Sequence, residues 1–306
     1  MNKKILIVLD GSKLAEIVFP FAKELAGRLC MDSVLLHVYP QQAAQLVSTY
    51  RTYIDRVANQ FLQEAQEVQK SVGVCGELQA KGELVEGYHA DEILKFADTH
   101  KVNLIMIASH GRSGAKRWTI GSVADKVMRA AKVPVWLVHT DMDQTVLYDK
   151  WISRTLLVPL TASEVSSVTI PIALEIAGQK GANFNVVLME VVEPPATPAY
   201  YTPEVTGVPM NWGQFVEDEI ARGKIAAQSH LQQIEQQFKD KGITVSSLVT
   251  VGKASEEIAG YGRKNPNTVI IMATHGRKGF SRLVYGSVTE SVLFGVTNPV
   301  IVVRPQ

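Results

Sequence analysis

Apolar and polar positions alternate along this chain with two periods, one typical of buried strands and the other of amphipathic helices. In the first half, four short runs are almost wholly apolar: ILIVL at 5–9, SVLLHVY at 33–39, LIMIA at 104–108 and PVWLV at 134–138. Strands that are covered on both faces of a sheet have this character. Between the second and third runs, apolar residues recur every three or four positions from Leu46 to Val68, which predicts a long helix with one buried stripe. Strand–helix alternation of this kind indicates an α/β fold with a doubly wound parallel sheet.

The same pattern occurs twice along the chain. In the same order, 5–26 aligns with 156–177, 34–40 with 186–194, 86–97 with 251–262, 102–111 with 267–276, and 132–139 with 297–304. Five correspondences in one order indicate an internal duplication. The sequence therefore predicts two domains of one fold, at 1–142 and 154–306, joined by a linker at 143–153.

The charge balance and the lengths of the apolar runs argue against nucleic acid and membranes as partners. With 31 basic against 30 acidic residues, the chain lacks the charge excess that favours nucleic acid or an anionic membrane. The first apolar run stops at Asp10, which is too short for a signal peptide, and no uninterrupted apolar stretch reaches the length of a membrane span. The only cysteines, Cys30 and Cys75, favour core packing over a disulfide framework, so we expect a cytoplasmic protein.

A glycine-framed loop follows the last buried strand but one in each half. It reads ASHGRSGAKRWTIGS at 108–122 and ATHGRKGFSRLVYGS at 273–287. Glycine lets backbone N–H groups turn toward a ligand, and the Gly-Ser pair opens a predicted helix whose positive N-terminal end favours phosphate. The pattern predicts a phosphate-bearing ligand at the carboxyl edge of the sheet. The alternative is that Ser122 and Ser287 are merely helix N-caps.

Other chemistries find no support in the motifs. The chain has no P-loop, no GxGxxG after its first strand, no HEXXH and no GxSxG. His110 and His275 occupy identical contexts but have no recurrent acidic or nucleophilic partner, which favours a structural role over catalysis. Residues 193–213 contain five prolines and cannot form one continuous helix. This segment is either a lid over the site or an exposed loop with no ligand role.

These features resemble the universal stress protein family. The family's nucleotide motif is Gly, two residues, Gly, nine residues, then Gly-Ser or Gly-Thr, and the two loops follow it across a likeness that covers nearly the whole chain. The resemblance implies two doubly wound five-stranded parallel sheets with helices on both faces, the adenine nucleotide alpha-hydrolase-like arrangement. It also implies a stress-responsive regulator that binds ATP or a related adenine nucleotide, with the presence of Mg²⁺ left open. A slow ATPase and an interaction module with vestigial loops are the alternatives.

The resemblance assigns ligand contacts position by position. In the first half it implies phosphate and ribose contacts in the loop and base contacts after the first two strands: Asp10, Val38, Ala108, His110, Gly111, Arg112, Gly114, Gly121, Ser122 and Val123. In the second half the matching positions are Val191, Ala273, His275, Gly276, Arg277, Gly279, Gly286, Ser287 and Val288.

Two departures from the family motif affect these assignments. Ala108 and Ala273 replace the first glycine, which is tolerable only where φ is negative. The Asp-Gly pair after the first strand becomes Thr161-Ala162 in the second half, so we expect weaker binding there. Asp10 itself has a second interpretation, as a turn residue alone.

The family's strand order makes 134–138 and 299–303 edge strands, although both are wholly apolar. An exposed apolar edge invites aggregation, so a partner must cover each one. The simplest partner is the equivalent strand of the other half, which would make the chain an intramolecular pseudo-dimer on which a homodimer could build. Coverage by helices or by another chain is the alternative.

Overall fold

The computed structural model of the protein describes residues 3–74, 76–110, 120–142, 154–162, 164–182, 184–196, 211–274 and 285–305. Two successive α/β units run through these ranges. The strands of the first unit are β1 (Lys4–Leu9), β2 (Asp32–Tyr39), β3 (Ala80–Glu86), β4 (Leu104–Ala108) and β5 (Val135–Val138). Those of the second unit are β6 (Thr155–Leu160), β7 (Asn185–Val192), β8 (Thr244–Val251), β9 (Thr268–Ala273) and β10 (Val300–Val303).

Helices alternate with these strands in matching positions. They are α1 (Phe19–Leu29), α2 (Val47–Ser71), α3 (His89–Thr99) and α4 (Ser122–Ala130), then α5 (Ile170–Ala177), α6 (Trp212–Lys239), α7 (Ala254–Lys264) and α8 (Ser287–Gly295). The predicted apolar stripe is confirmed in α2, which buries Tyr50, Val57 and Phe61. None of the helices in the described ranges has the length and apolar character needed to cross a membrane.

All ten of these strands form one sheet in the order β3-β2-β1-β4-β5-β10-β9-β6-β7-β8. Neighbouring strands within each half are parallel, so the predicted doubly wound parallel sheet is confirmed for both halves. The two expected five-stranded sheets are therefore not separate, because they merge at the centre of a continuous sheet.

The junction between the halves is the antiparallel pair β5–β10. Val300 lies opposite Leu137, and Val302 lies opposite Val135. Every residue of both strands is buried. The predicted pairing of the two apolar strands within one chain is confirmed, and it covers the edge that each half would otherwise expose.

Helices cover the sheet on both faces. One apolar layer joins α1 and α2 of the first half to α5 and α6 of the second, and it contains Phe21, Ile54 and Leu231. The other layer contains residues of α3, α4, α7 and α8, such as Ile93 and Val292. This arrangement leaves the carboxyl ends of the parallel strands as the open edge of each half.

The outermost strands differ from the apolar pattern that marked the others. β3 and β8 have only half-buried or exposed residues, because each has a neighbouring strand on one side only. The sequence predicted five strands per half but located only the four in each half whose residues are largely buried. Edge position explains why these two were missed.

Candidate functional site

A crevice opens in the first half where the strand order reverses. The chain runs outward from β1 to β2 and β3 and then crosses back to β4, on the other side of β1. In doubly wound sheets, ligands bind outside the carboxyl ends of the strands at such a point. A cavity of about 370 Å³ lies here. Its lining consists of Val8, Leu9, Asp10, Ala15, His37, Val38, Tyr39, Pro40, Tyr50, His89, Ile93, Ile107, Ala108, Ser109, His110, Gly121, Ser122, Val123 and Ala124.

Asp10 is the charged side chain of this lining at the end of β1. Its Oδ1 atom accepts hydrogen bonds from the backbone N–H of Ser12 at 2.9 Å and from the Ser12 hydroxyl at 2.6 Å. The intervening Gly11 has φ of 81°, a conformation that favours glycine. Asp10 therefore organises the turn after β1 and also lines the cavity, and its contact with a ligand stays a prediction.

Aromatic side chains form the wall of the cavity on the α2 side. The Nδ1–H of His37 donates to the carbonyl oxygen of Leu9 at 3.0 Å, which fixes the orientation of the imidazole ring. The ring of Tyr50 lies 4.5 Å from that of His37 and 6.0 Å from that of Tyr39. This wall is largely buried and presents flat, polarisable surfaces to the cavity.

The start of α4 lies against the end of β4. The backbone N–H of Gly121 donates to the carbonyl oxygen of Ser109 at 2.8 Å, and a Cβ at position 121 would lie 3.1 Å from that oxygen. Gly121 and Gly286 are the N-caps of α4 and α8, and no side chain caps either helix. Ser122 and Ser287 are therefore the first helical residues rather than N-caps, which removes the capping interpretation of these serines.

A buried histidine pair lies beside the cavity at the ends of β4 and β5. The ring of His110 contacts the Ser109 hydroxyl through Nδ1 at 3.2 Å. Burial lowers the pKa of His110, while the carboxylate of Asp141 acts in the opposite direction. Burial lowers the pKa of His139 to about 4, and the neighbouring His110 contributes to this shift. Both rings are therefore neutral near pH 7.

The two alanines that replace the first motif glycine are accommodated without strain. Ala108 ends β4 and Ala273 ends β9, and neither has a positive φ. An alanine methyl group is compatible with this extended backbone, so the departure from the motif does not disrupt either strand end.

Seven of the residues predicted for the first half line this one cavity. They are Asp10, Val38, Ala108, His110, Gly121, Ser122 and Val123. Gly111, Arg112 and Gly114 lie outside the described residues. In the second half, Val191 and Ala273 lie at the carboxyl ends of β7 and β9, with Gly286, Ser287 and Val288 at the start of α8. His275, Gly276, Arg277 and Gly279 lie outside the described residues, as do residues 197–210 of the possible lid.

The sequence did not identify the aromatic wall or His89, which lines the cavity from the start of α3. His37 directly precedes Val38 at the end of β2, so the carboxyl-edge rule for parallel strands could have included it. Tyr50 looked only like a member of the helix stripe, because periodicity cannot show that a core side chain also faces a cavity. The described residues contain no cluster of three or more His, Cys, Asp or Glu side chains arranged to hold a metal ion.

Comparison with known proteins reveals one family across both halves. The sequence model of the universal stress protein family matches residues 1–139 and again residues 153–304. The universal stress protein Rv2005c of Mycobacterium tuberculosis is 25% identical over 236 residues, which cover 77% of this chain and 72% of that relative.

Solved structures share the architecture of the whole chain. A universal stress protein from Archaeoglobus fulgidus has a TM-score of 0.64 at 17% identity, with 98% of this chain and 96% of that chain covered. The functionally unknown protein PA1789 from Pseudomonas aeruginosa has a TM-score of 0.67 at 17% identity, with 99% and 93% covered. At this level of identity, the likeness shows that the fold is shared.

Proposed function

Because the chain belongs to the universal stress protein family, we propose that its first half binds ATP or a related adenine nucleotide. The sequence model of the family matches the chain once in each half. The observation that carries the proposal is the cavity at the carboxyl ends of β1, β2 and β4. In this cavity, Gly121 and Ser122 at the start of α4 lie together with Asp10, which follows β1, and Val38, which lies in β2. Residues so distant in sequence share one crevice only because of the parallel topology.

The cavity has an apolar part that suits the flat surface of a purine. Val8 and Val38 contribute to it from the strands, and Ile93 contributes from α3. Apolar and aromatic walls with a few convergent polar groups are typical of small-molecule sites. We assign the base to this part of the cavity.

The start of α4 suits the phosphates. Gly121 has no side chain, so an anion can approach the free N–H groups of the first helical turn, where the positive end of the helix dipole lies. The carboxylate of Asp10 lines the same cavity and can accept a hydrogen bond from the amino group of the base or from a ribose hydroxyl. Each part of a nucleotide thus has a matching chemical environment.

We assign the protein a regulatory role, in which occupancy of the crevice is the signal. His110 lies beside the start of α4, and burial lowers its pKa, which makes it a weaker general base. This supports binding over turnover. A phosphate-release assay on the wild-type chain tests the point, and sustained release of phosphate from ATP would show that the protein is instead a slow ATPase.

The substitution Gly121→Asp tests the site. Gly121 is an N-cap with φ of −61°, which other residues can adopt, and its new Cβ would require the Ser109 carbonyl group to shift by a few tenths of an ångström, so α4 should be retained. The new carboxylate would lie where phosphate binds, and a like charge at about 4 Å costs several kcal/mol, which is a loss of more than about a hundredfold in affinity. Calorimetric titration with ATP measures this loss.

Gly121→Asn is the matched control, because asparagine caps a helix equally well but has no charge. We expect it to bind ATP far more tightly than Gly121→Asp does. Gly286→Asp makes the same change in the second half and should leave first-half binding intact. Equal ATP affinity in wild type and Gly121→Asp would refute the assignment.

A further inference from the structure

The strand registers allow the two crevices to be compared residue by residue. Leu9 pairs with His37 across β1 and β2, and Leu160 pairs with Glu190 across β6 and β7. Because Leu9 and Leu160 end equivalent strands, Glu190 occupies the place of His37. Three residues further along, Glu193 occupies the place of Pro40.

The next connection is also equivalent in the two halves. The backbone N–H of Gly87 donates to the carbonyl oxygen of Tyr39 at 2.9 Å, and the N–H of Gly252 donates to that of Val192 at 3.1 Å. Ala254, the first residue of α7, therefore occupies the place of His89, the first residue of α3.

These two places have different roles in the two halves. In the first half, Pro40 and His89 both line the cavity. In the second half, the Oε1 atom of Glu193 accepts a hydrogen bond from the backbone N–H of Ala254 at 2.9 Å. A direct bridge thus joins the two positions that bound the open cavity in the first half. It also supplies a cap to α7, whose N-cap residue Lys253 has no capping side-chain bond.

The second crevice also has more acidic side chains than the first. Glu190 stands at the end of β7 in the place of His37, and it pairs with His230 at 2.7 Å. With Glu193, this places two carboxylates where the first half has an imidazole and a proline. The two carboxylates make this crevice more negative than the first one, which disfavours entry of an anionic nucleotide.

The turn after β6 also lacks the acid of the first half. Thr161 stands in the place of Asp10, and this turn is held instead by Ser166. The Ser166 hydroxyl accepts from the N–H of Thr161 at 3.1 Å and donates to the carbonyl oxygen of Thr161 at 2.8 Å. Position 161 therefore has no carboxylate to make the nucleotide contact proposed for Asp10.

We propose that Glu193 excludes adenine nucleotides from the second half, so that the chain binds one nucleotide and its second half serves as the partner domain. This inference rests on the proposed function of the first half. A nucleotide in the second crevice would have to displace Glu193 from Ala254, which would leave the first N–H of α7 without its charged acceptor. Glu193 is thus a specificity-determining residue of the tandem chain.

The test uses the full chain with ATP as the probe, in calorimetric titrations. The wild-type chain should bind one ATP. To isolate the second half, Gly121→Asp silences the first, and Thr161→Asp with Ala162→Gly restores the acid and glycine of the first-half turn. The triple variant Gly121→Asp, Thr161→Asp, Ala162→Gly is the background for the test, and we expect it to bind ATP weakly because Glu193 is still present. Addition of Glu193→Ala should raise its affinity for ATP by about tenfold or more.

Glu256→Ala in the same background is the matched control. Glu256 lies in the first turn of α7 and, like Glu193, is an exposed carboxylate, but it pairs with Lys253 instead of the backbone N–H of Ala254, so its removal should not open the crevice. Thermal unfolding of each variant checks that the fold is retained. The proposal is overturned if Glu193→Ala gives no gain, or if Glu256→Ala gives an equal gain.

The wild-type stoichiometry separates the two proposals. Two ATP molecules bound per chain with comparable affinity would overturn the exclusion by Glu193 and leave the proposed function intact. A wild-type chain that binds no ATP would overturn the proposed function and, with it, the inference that depends on it.

Discussion

The guanidinium group of Arg129, on α4, lies over the ring of Tyr285 at 4.1 Å from the ring centroid. The Tyr285 hydroxyl donates to the carbonyl oxygen of Asp125 at 3.2 Å, and Arg129 pairs with the carboxylates of Asp125 and of Glu290 on α8. Tyr285 directly precedes Gly286, the N-cap of α8. α4, which begins at the first crevice, therefore contacts Tyr285, the residue just before the N-cap of α8.

We expect the contact between Arg129 and Tyr285 to contribute directly to stability. A double-mutant cycle with Arg129→Met and Tyr285→Leu should give a coupling free energy of about 0.5–2 kcal/mol, because a cation over a buried ring is partly desolvated. Urea unfolding of the four proteins measures it. Tyr285→Phe keeps the ring and should lose only about 0.5–1.5 kcal/mol, for the hydroxyl bond. Strictly additive effects of the two substitutions would show that the contact contributes nothing.

Substitution of both Ile301 and Val302 with lysine should separate the halves. Both side chains are buried, and they face opposite layers of the sheet at the β5–β10 junction. Burial of an unpaired ammonium group costs several kcal/mol, so this junction should open. Small-angle scattering should show a larger radius of gyration, and circular dichroism should show whether the helices remain. Ser246→Lys, at an exposed position of β8, is the control. A double variant as compact as wild type contradicts the prediction.

His139 should make the protein less stable in acid. Its pKa is lowered to about 4 from an ordinary value of 6.5, because burial disfavours the charged ring. The unfolded chain therefore binds a proton at a higher pH than the folded chain does. This contribution to stability is complete above pH 6.5 and falls progressively toward pH 4, by about 3 kcal/mol in all.

Urea unfolding between pH 7.5 and pH 4.5 measures this dependence. His139→Gln should remove the part of the pH dependence that His139 contributes, since glutamine does not titrate. Other groups also titrate in this range, so the comparison between the two proteins is the relevant quantity. Parallel pH profiles for wild type and His139→Gln would show that His139 is not responsible.

Asp10→Asn should separate the structural and ligand-binding roles of Asp10. Asparagine retains the oxygen that accepts from Ser12, so the free energy of unfolding should change by about 1 kcal/mol or less. Loss of the charge should weaken ATP binding by about ten- to a hundredfold, through one charge-assisted hydrogen bond. Calorimetry and urea unfolding together measure the two effects. Unchanged ATP affinity would mean that Asp10 is a turn residue alone.

The sequence predicted those parts of the fold that depend on local pattern. β1, β2, β4 and β5 were recognisable because strands covered on both faces must be apolar throughout. α2 was recognisable from its stripe. β3 and β8 were not located, because a strand at the edge of a sheet needs no continuous apolar run, and their position became evident only from the order of the strands.

The residues of the candidate site also fall into two groups, those that the sequence identified and those that only the structure revealed. Asp10, Gly121 and Ser122 were identifiable because turn glycines, helix starts and a family motif leave their mark within a few residues of sequence. Tyr50 and His89 were not, because a helix residue faces a cavity only through the packing of its helix on a particular strand.

The sequence by itself determined the duplication, the strand–helix alternation and the glycine loop, since each is a pattern of neighbouring residues. The tertiary structure alone decided that Glu193 reaches Ala254 and that Arg129 lies over Tyr285. Both contacts join residues that are far apart in the chain. Their distances depend on strand register and on the way in which the two halves pack, and no local pattern of residues encodes either.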